Sequence, residues 1–220
     1  MKTFFIACGG TGGHLFPGLA IAEGLRAEGA EVRLIVSQKK IDREILSSFP
    51  GYKSSSVEVT GWPGLGFGVF GFLRKFYRSY RSSVRLLRDE QPDAVLGMGG
   101  FTCVPMLLAA IRRKIPAFLH ESNVIPGKAT RLLARRVNRV LVGFEECCFQ
   151  LPGAAIRVTG TPVRTELVKM KEDFSGPDPE EKEKWGFPPD RLVLAVMGGS
   201  QGAAGINRLV TESLKALPEL

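Results

Sequence analysis

Histidine and cysteine are scarce in this chain, at 2 and 4 of 220 residues. Cys8, Cys103 and the adjacent Cys147 and Cys148 have neither the spacing of a zinc site nor that of a disulfide framework, and two histidines make a protein-built metal centre an unexpected feature. Long apolar runs are missing too. None approaches the roughly 20 residues of a membrane-spanning helix, and the N-terminus enters a strand-like run without a signal-peptide pattern, so the expectation is a soluble protein kept in the cytoplasm. Two nucleotide signatures are absent. No Gly-Lys-Ser/Thr follows either glycine-rich turn described below, neither turn has G-x-G-x-x-G spacing, and the run Val32 to Val36 ends in Ser37-Gln38 with no acid for a dinucleotide ribose. These absences argue against a nicotinamide or flavin enzyme, and no cofactor is expected.

What the chain does have is a glycine-rich corner written twice. Thr3 to Cys8 opens into Gly9-Gly10-Thr11-Gly12-Gly13-His14, and Leu192 to Met197 opens into Gly198-Gly199-Ser200-Gln201-Gly202-Ala203. Each reads as strand, tight turn, helix. Backbone N–H groups at the start of such a helix are unpaired, and the positive end of the helix macrodipole there can hold a phosphate. One such corner is as readily a plain turn. Two of them suggest two nucleotide-fold domains facing one ligand.

The net charge of +8 points to an acidic partner or surface. Its distribution says more. At helical spacing Arg74, Arg78, Arg81, Arg85 and Arg88 share one stripe, with Lys75 beside them, and Leu73, Tyr77, Tyr80, Val84 and Leu87 share the next. The stretch Leu65 to Leu73 before them separates Phe67, Phe70 and Phe72 with glycines. Exposed Phe beside Arg suits an interfacial contact with an anionic membrane, which makes Phe67, Phe70, Phe72, Arg74, Lys75, Arg78 and Arg81 the candidate contact. The competing reading is a packed helix with solvated arginines. No stacking platform or nucleic-acid-binding element accompanies the arginines, so no nucleic-acid partner is expected.

Strand-like runs at Thr3 to Cys8, Val32 to Val36, Ser56 to Val59, Ala94 to Leu96, Ala117 to Leu119, Val140 to Val142 and Ile156 to Thr159 alternate with helical patterns at Gly18 to Glu28, Asp42 to Ser48, Val104 to Arg113 and Lys128 to Arg135. This is the pattern of an α/β doubly wound parallel sheet, whose ligands sit beyond the carboxyl ends of the strands. The loops there carry Gly10-Thr11-Gly12-Gly13-His14, Gly97-Met98-Gly99-Gly100-Phe101 and His120-Glu121-Ser122-Asn123. Residues 1–161 read as a first domain, 162–191 as hinge and connector, and 192–220 as the start of a second domain, with a strand at Leu192 to Met197. A nucleotide-binding domain takes on the order of 100 residues or more, so the second is expected to be incomplete here.

These motifs, with Phe16-Pro17-Gly18-Leu19-Ala20 and Pro162-Val163-Arg164, together resemble the MurG family of bacterial glycosyltransferases. The resemblance implies a GT-B fold of two Rossmann-like domains. The first would bind the acceptor and the membrane, and the second would bind most of the UDP-sugar. It further implies inverting, metal-independent transfer of N-acetylglucosamine from UDP-GlcNAc to the muramyl C4 hydroxyl of lipid I, at the cytoplasmic face of the cell membrane. Ser122 departs from the family, which usually has Gln there. The part of the second domain that would hold uracil and ribose is missing, which leaves open a half-enzyme or a non-catalytic, membrane-recruiting subunit that needs a separate donor-binding domain.

Such a transfer needs a base for the hydroxyl and stabilisation of the leaving pyrophosphate. His14 and Glu121 are the candidates for the base, and an unperturbed His titrates near neutral pH. His14 could equally brace the glycine turn, and Glu121 could orient His14 or the hydroxyl. His120 is expected to make a structural hydrogen bond inside its loop. For the leaving pyrophosphate of the donor, the candidates are backbone N–H groups of Thr11, Gly12 and Gly13 and those around Ser200 and Gln201, with the planar charge of Arg164, whose competing reading is a hinge salt bridge. Backbone N–H groups of Gly99, Gly100 and Phe101 are the candidates for the acceptor pyrophosphate, and the resemblance implies donor contacts from Arg164, Ser200 and Asn123.

Overall fold

The computed structural model describes residues 1–58, 68–172, 176, 178–198 and 203–216, and the chain forms two compact units, Met1–Glu172 and Asp173–Leu220. Seven parallel strands build the first unit: β1 (Thr3–Ala7), β2 (Glu31–Ser37), β3 (Lys53–Val57), β4 (Ala94–Gly97), β5 (Ala117–Glu121), β6 (Arg139–Val142) and β7 (Ile156–Val158). Their order is β3-β2-β1-β4-β5-β6-β7, the doubly wound arrangement expected. The chain winds outward from β1 to β3, then crosses to β4 and winds the other way. The switch point therefore lies between β1 and β4, where β1 pairs with both β2 and β4.

Strand alternation sorts the core onto two faces. Phe5 and Ala7 point to a core shared with Val95, Leu107, Leu119 and Val140, while Ile6 and Cys8 point to one shared with Leu15, Leu19, Leu34 and Val36. Removing each such Leu, Ile or Phe from water contributes about 1.5–3 kcal/mol. The helix α1 (Gly12–Ala27) packs on β1 so closely that a Cβ at Gly18 would lie 2.5 Å from that of Cys8. On the other face α3 (Gly68–Glu90) packs against α4 (Gly100–Arg112). The Cys8 and Cys103 thiols are fully buried, and burial pushes that of Cys103 up to about 12, so both serve packing.

Several boundaries differ from the sequence expectations. The helices α1 and α4 begin at Gly12 and Gly100 rather than Gly18 and Val104, so the last glycines of each run already belong to the helix. The strand β3 sits at Lys53–Val57 rather than Ser56 to Val59, because pairing with β2 sets its register. Two short helices, α2 (Lys40–Ser47) and α5 (Lys128–Leu133), follow β2 and β5, and α6 (Thr165–Glu172) ends the first unit.

The second unit contains α7 (Pro179–Lys184), whose start is capped by Asp178 accepting from Glu180 N at 2.9 Å, and α8 (Ala204–Ala216). The strand expected at Leu192 to Met197 is not formed. Leu192 is 101% exposed and Leu194 86%, and among the described residues no strand lies beside this run to complete its backbone hydrogen bonds.

Candidate functional site

The carboxyl edge of β1 is held by a residue the sequence reading did not single out. Asp42, in the first turn of α2, is fully buried and faces back toward the sheet. Its Oδ2 accepts from Gly10 N at 2.8 Å, Ser37 N at 2.7 Å and Ser37 Oγ at 2.6 Å, while its Oδ1 accepts from Gly10 N at 3.1 Å. Lys39 Nζ donates to Gly10 O at 3.1 Å. The turn is thus tethered at both its N–H and its carbonyl.

Beyond it, Thr11 is the N-cap of α1, yet its hydroxyl does not cap the helix. Thr11 Oγ1 lies 2.9 Å from His14 Nδ1 instead. The first turn of α1 carries no acidic residue, so the N-terminal end of its dipole is uncompensated from within the helix.

The ring of His14 reaches the β4–α4 corner. A Cβ at Gly100 would lie 3.0 Å from His14 Cε1, and one at Gly99 would lie 3.4 Å from His14 Nε2. Both glycines have positive φ, +68° and +87°, so backbone conformation and ring space together require glycine. The helix α4 also starts without a side-chain cap or an acidic first turn. Two uncapped helix N-termini therefore flank His14, an arrangement suited to phosphate groups. Burial lowers the His14 pKa below the ordinary value, an effect offset in part by the charges of Glu121 and Asp42 and reinforced by Lys39.

At the end of β5, Glu121 is only 4% exposed and both its oxygens are occupied. Its Oε1 accepts from Asn123 N at 3.1 Å and Asn123 Nδ2 at 2.7 Å, and its Oε2 accepts from Gly127 N at 3.0 Å and Thr130 Oγ1 at 2.6 Å. Burial alone would raise its pKa, but these hydrogen bonds outweigh burial and hold it below the usual carboxylate value. The carboxylate thus folds its own loop and fixes the Asn123 amide, leaving the rest of that exposed side chain at the edge. His120, 1% exposed, pairs through Nε2 with Gly160 O at 3.1 Å, tying β5 to the segment after β7, and its Nδ1 lies 3.4 Å from Ser122 Oγ inside its own loop, as expected.

Arg164 lies against α1, its guanidinium 5.0 Å from the centre of the Phe16 ring. Its contact with Glu166 is loose at 3.8 Å, with that carboxylate 74% exposed, so stacking on Phe16 is its main support. Phe101 turns away from the corner and packs edge-on against Phe72, with centroids 6.4 Å apart. Ser200 and Gln201 lie outside the described residues.

The helix α3 carries the expected basic edge, with corrections. Phe72 is 8% exposed and stacks near Phe76, so the ring expected at a membrane surface belongs to the core. Of the stripe Leu73, Tyr77, Tyr80, Val84 and Leu87, the last three pack against the core, while Leu73 and Tyr77 are 52% and 59% exposed and align with Phe70 at 81%. The packed face runs through Phe72, Phe76, Ser79, Tyr80, Ser83, Val84 and Leu87. Arg74, Lys75, Arg78 and Arg81 are exposed as expected, while Phe67 lies outside the described residues. A groove of about 920 Å³ between α3 and the end of α4 is lined by Arg78, Arg81, Arg85, Arg88, Arg112 and Arg113. No helix among the described residues is long and apolar enough to cross a membrane.

The glycosyltransferase family 28 N-terminal domain matches residues 4–142, which span β1 to β6 and nearly all of this edge. The chain belongs to glycosyltransferase family 28. A relative from Caldanaerobacter subterraneus subsp. tengcongensis, a UDP-N-acetylglucosamine--N-acetylmuramyl-(pentapeptide) pyrophosphoryl-undecaprenol N-acetylglucosamine transferase, is 33% identical over 96% of this chain and 57% of its own length. One of the same name from Synechococcus sp. is 39% identical over 93% of the chain and 53% of its own length. The chain thus spans somewhat over half the length of these relatives. The crystal structure of Acinetobacter baumannii MurG superimposes with a TM-score of 0.62 at 25% identity, covering 76% of this chain and 47% of that one. The UDP-GlcNAc 2-epimerase of Neisseria meningitidis, 19% identical with a TM-score of 0.65, shares the fold.

Proposed function

We propose that this family 28 chain carries the acceptor-binding and base-bearing part of an inverting N-acetylglucosaminyltransferase that converts lipid I to lipid II in peptidoglycan synthesis. The carrying observation is His14, held by Thr11 against Gly99 and Gly100 between two uncapped helix N-termini. With Nδ1–H donating to Thr11 Oγ1, Nε2 keeps its lone pair and can take the proton of the muramyl C4 hydroxyl. That oxygen attacks the anomeric carbon of UDP-GlcNAc as the bond to the UDP oxygen breaks, with inversion. The lowered His14 pKa keeps the imidazole neutral, hence competent as a base, at neutral pH. Glu121 is read as a positioning residue, because its oxygens are already committed to four donors.

The N–H groups at the start of α4, from Gly99, Gly100 and Phe101, are read as holding the acceptor pyrophosphate. Thr11, Gly12, Gly13, Asn123 and Arg164, with Ser200 and Gln201, are read as meeting the donor. Residues 1–161 form the acceptor and membrane domain in this reading, 162–191 the hinge and connector, and 192–220 the beginning of the donor domain. Phe70, Leu73 and Tyr77 with the arginines of α3 rest peripherally on the cytoplasmic face of an anionic membrane.

The test is transfer of labelled GlcNAc from UDP-GlcNAc to a micellar lipid I analogue, by the chain alone and with a separately supplied C-terminal half from a relative. Transfer in either case, reduced about 10²-fold or more by His14→Ala, supports the reading. Absence of transfer in both, or transfer indifferent to His14→Ala, overturns it.

A further inference from the structure

We propose that Asp42 is a positioning residue for His14, fixing the first glycine turn through Gly10 and acting on the imidazole through its charge. The catalytic consequence rests on His14 being the base, but the coupling itself does not.

A fully buried carboxylate is costly unless its oxygens are matched by donors. Asp42 receives donors only, and they come from two different corners of the sheet: Ser37 at the end of β2 and Gly10 at the end of β1. A residue that merely closed the β2–α2 turn would need Ser37 alone. The Gly10 bond at 2.8 Å carries its influence into the neighbouring corner, where Lys39 Nζ holds the same residue's carbonyl. Gly10 has φ +113°, a conformation that glycine adopts readily but other residues rarely do, and Thr11 follows it directly. The path runs from Asp42 through Gly10 to Thr11, whose hydroxyl sets the His14 ring.

Charge follows the same geometry. The ionisable groups acting on His14 are Glu121 from β5 and Asp42 from α2, which favour its protonated form, and Lys39 from the β2–α2 turn, which disfavours it. His120, by contrast, feels burial, Gly160 O and Glu121. The second histidine is therefore an internal control, since a change at Asp42 acts on one ring and spares the other.

The decisive substitution is Asp42→Asn. An amide oxygen in place of Oδ2 can keep the bonds to Gly10 N, Ser37 N and Ser37 Oγ while the negative charge is lost. Both imidazoles are titrated by NMR in the chain as it stands, with His14→Gln identifying the His14 signals. The expected result is a His14 midpoint at lower pH in Asp42→Asn and an unmoved His120 midpoint. Asp42→Ala, which leaves the Gly10 and Ser37 N–H groups unpaired, should speed Gly10 amide exchange about tenfold or more. Should Asp42→Asn fold poorly, Asp42→Ser, a smaller neutral acceptor, supports the same comparison.

In a transfer-competent preparation the acidic limb of kcat should move in the same direction as the NMR midpoint, with donor KM nearly constant. An unmoved His14 midpoint, or equal movement of both histidines, overturns the coupling. Displacement of His14 alone in a preparation without transfer supports the coupling while counting against the proposed function.

Discussion

Thr11 Oγ1 lies 2.9 Å from His14 Nδ1, so the residue at the N-cap of α1 spends its hydroxyl on a ring rather than on the helix. An N-cap hydroxyl bound to the backbone would typically stabilise the helix by about 1 kcal/mol. Here it orients an imidazole and biases its tautomer. Thr11→Ser should keep transfer close to the parent rate, since the oxygen is retained, and Thr11→Val should lower kcat with little change in stability. Comparable thermal melts alongside a kcat difference between the two variants would check this.

For His14 the direction of the pKa shift fixes the pH profile. Burial favours the neutral ring, so the group loses its proton below the ordinary histidine value of 6.5. The acidic limb of kcat/KM should fall below pH 6.5, with activity sustained through neutral pH. His14→Ala should reduce kcat by about 10²–10⁴-fold, the usual contribution of general base catalysis, and remove that limb. A limb that persists in His14→Ala would assign it to another group.

At Gly100, φ of +68° and a ring carbon 3.0 Å from any added Cβ act together. Gly100→Ala should cost about 1–2 kcal/mol from the left-handed backbone alone and push the His14 ring off its seat. The measurement is a chemical melt together with the His14 NMR titration. A normal titration in Gly100→Ala would mean that the ring has room the geometry does not show.

The strands β1, β2, β4, β5 and β6 could be read from the sequence because buried parallel strands are short apolar runs between glycine-rich turns. The polar edge strand β3, Lys-Ser-Ser-Ser-Val, lacks that signal, and its register follows from β2. The glycines were legible as a corner, but their partner was not: nothing in Gly99-Gly100 reveals that the His14 ring lies against them. Asp42 escaped notice because an acid in a first helical turn usually faces water, and its inward direction depends on where Gly10 and Ser37 come to rest. Phe72 belongs to the core because α3 already runs from Gly68, and Gly68 and Gly71, set among the phenylalanines, hide that helix phase in the sequence.

Glu121 makes a prediction in acid. Its folded-state pKa lies below the ordinary carboxylate value, so its contribution to stability is fully present above that value and is lost as pH falls through the folded one. Glu121→Gln leaves the Gly127 and Thr130 donors, or the Asn123 pair, facing an amide group that also donates. A loss of about 1.5–3 kcal/mol at pH 7 is expected from one disrupted charged hydrogen bond. The difference from the parent should narrow as pH falls through the folded pKa. Urea melts at a series of pH values check both statements, and a difference that widens in acid would contradict them.

On α3 neighbouring rings should behave oppositely. Phe70 is 81% exposed beside Leu73 and Tyr77, so replacing these three with Ser should leave the melt nearly unchanged and weaken association with vesicles containing anionic lipid. Phe72, enclosed by Phe76 and Phe101, should instead cost about 3–5 kcal/mol as Phe72→Ala and leave vesicle binding of the remaining folded protein intact. The arginines supply the salt dependence. Replacing Arg74, Arg78 and Arg81 with Gln should reduce binding at low salt, where unscreened charge matters most, and little at high salt. Co-sedimentation at two ionic strengths separates the apolar from the electrostatic part. Equal binding to neutral and anionic vesicles would leave the basic edge of α3 without a membrane role.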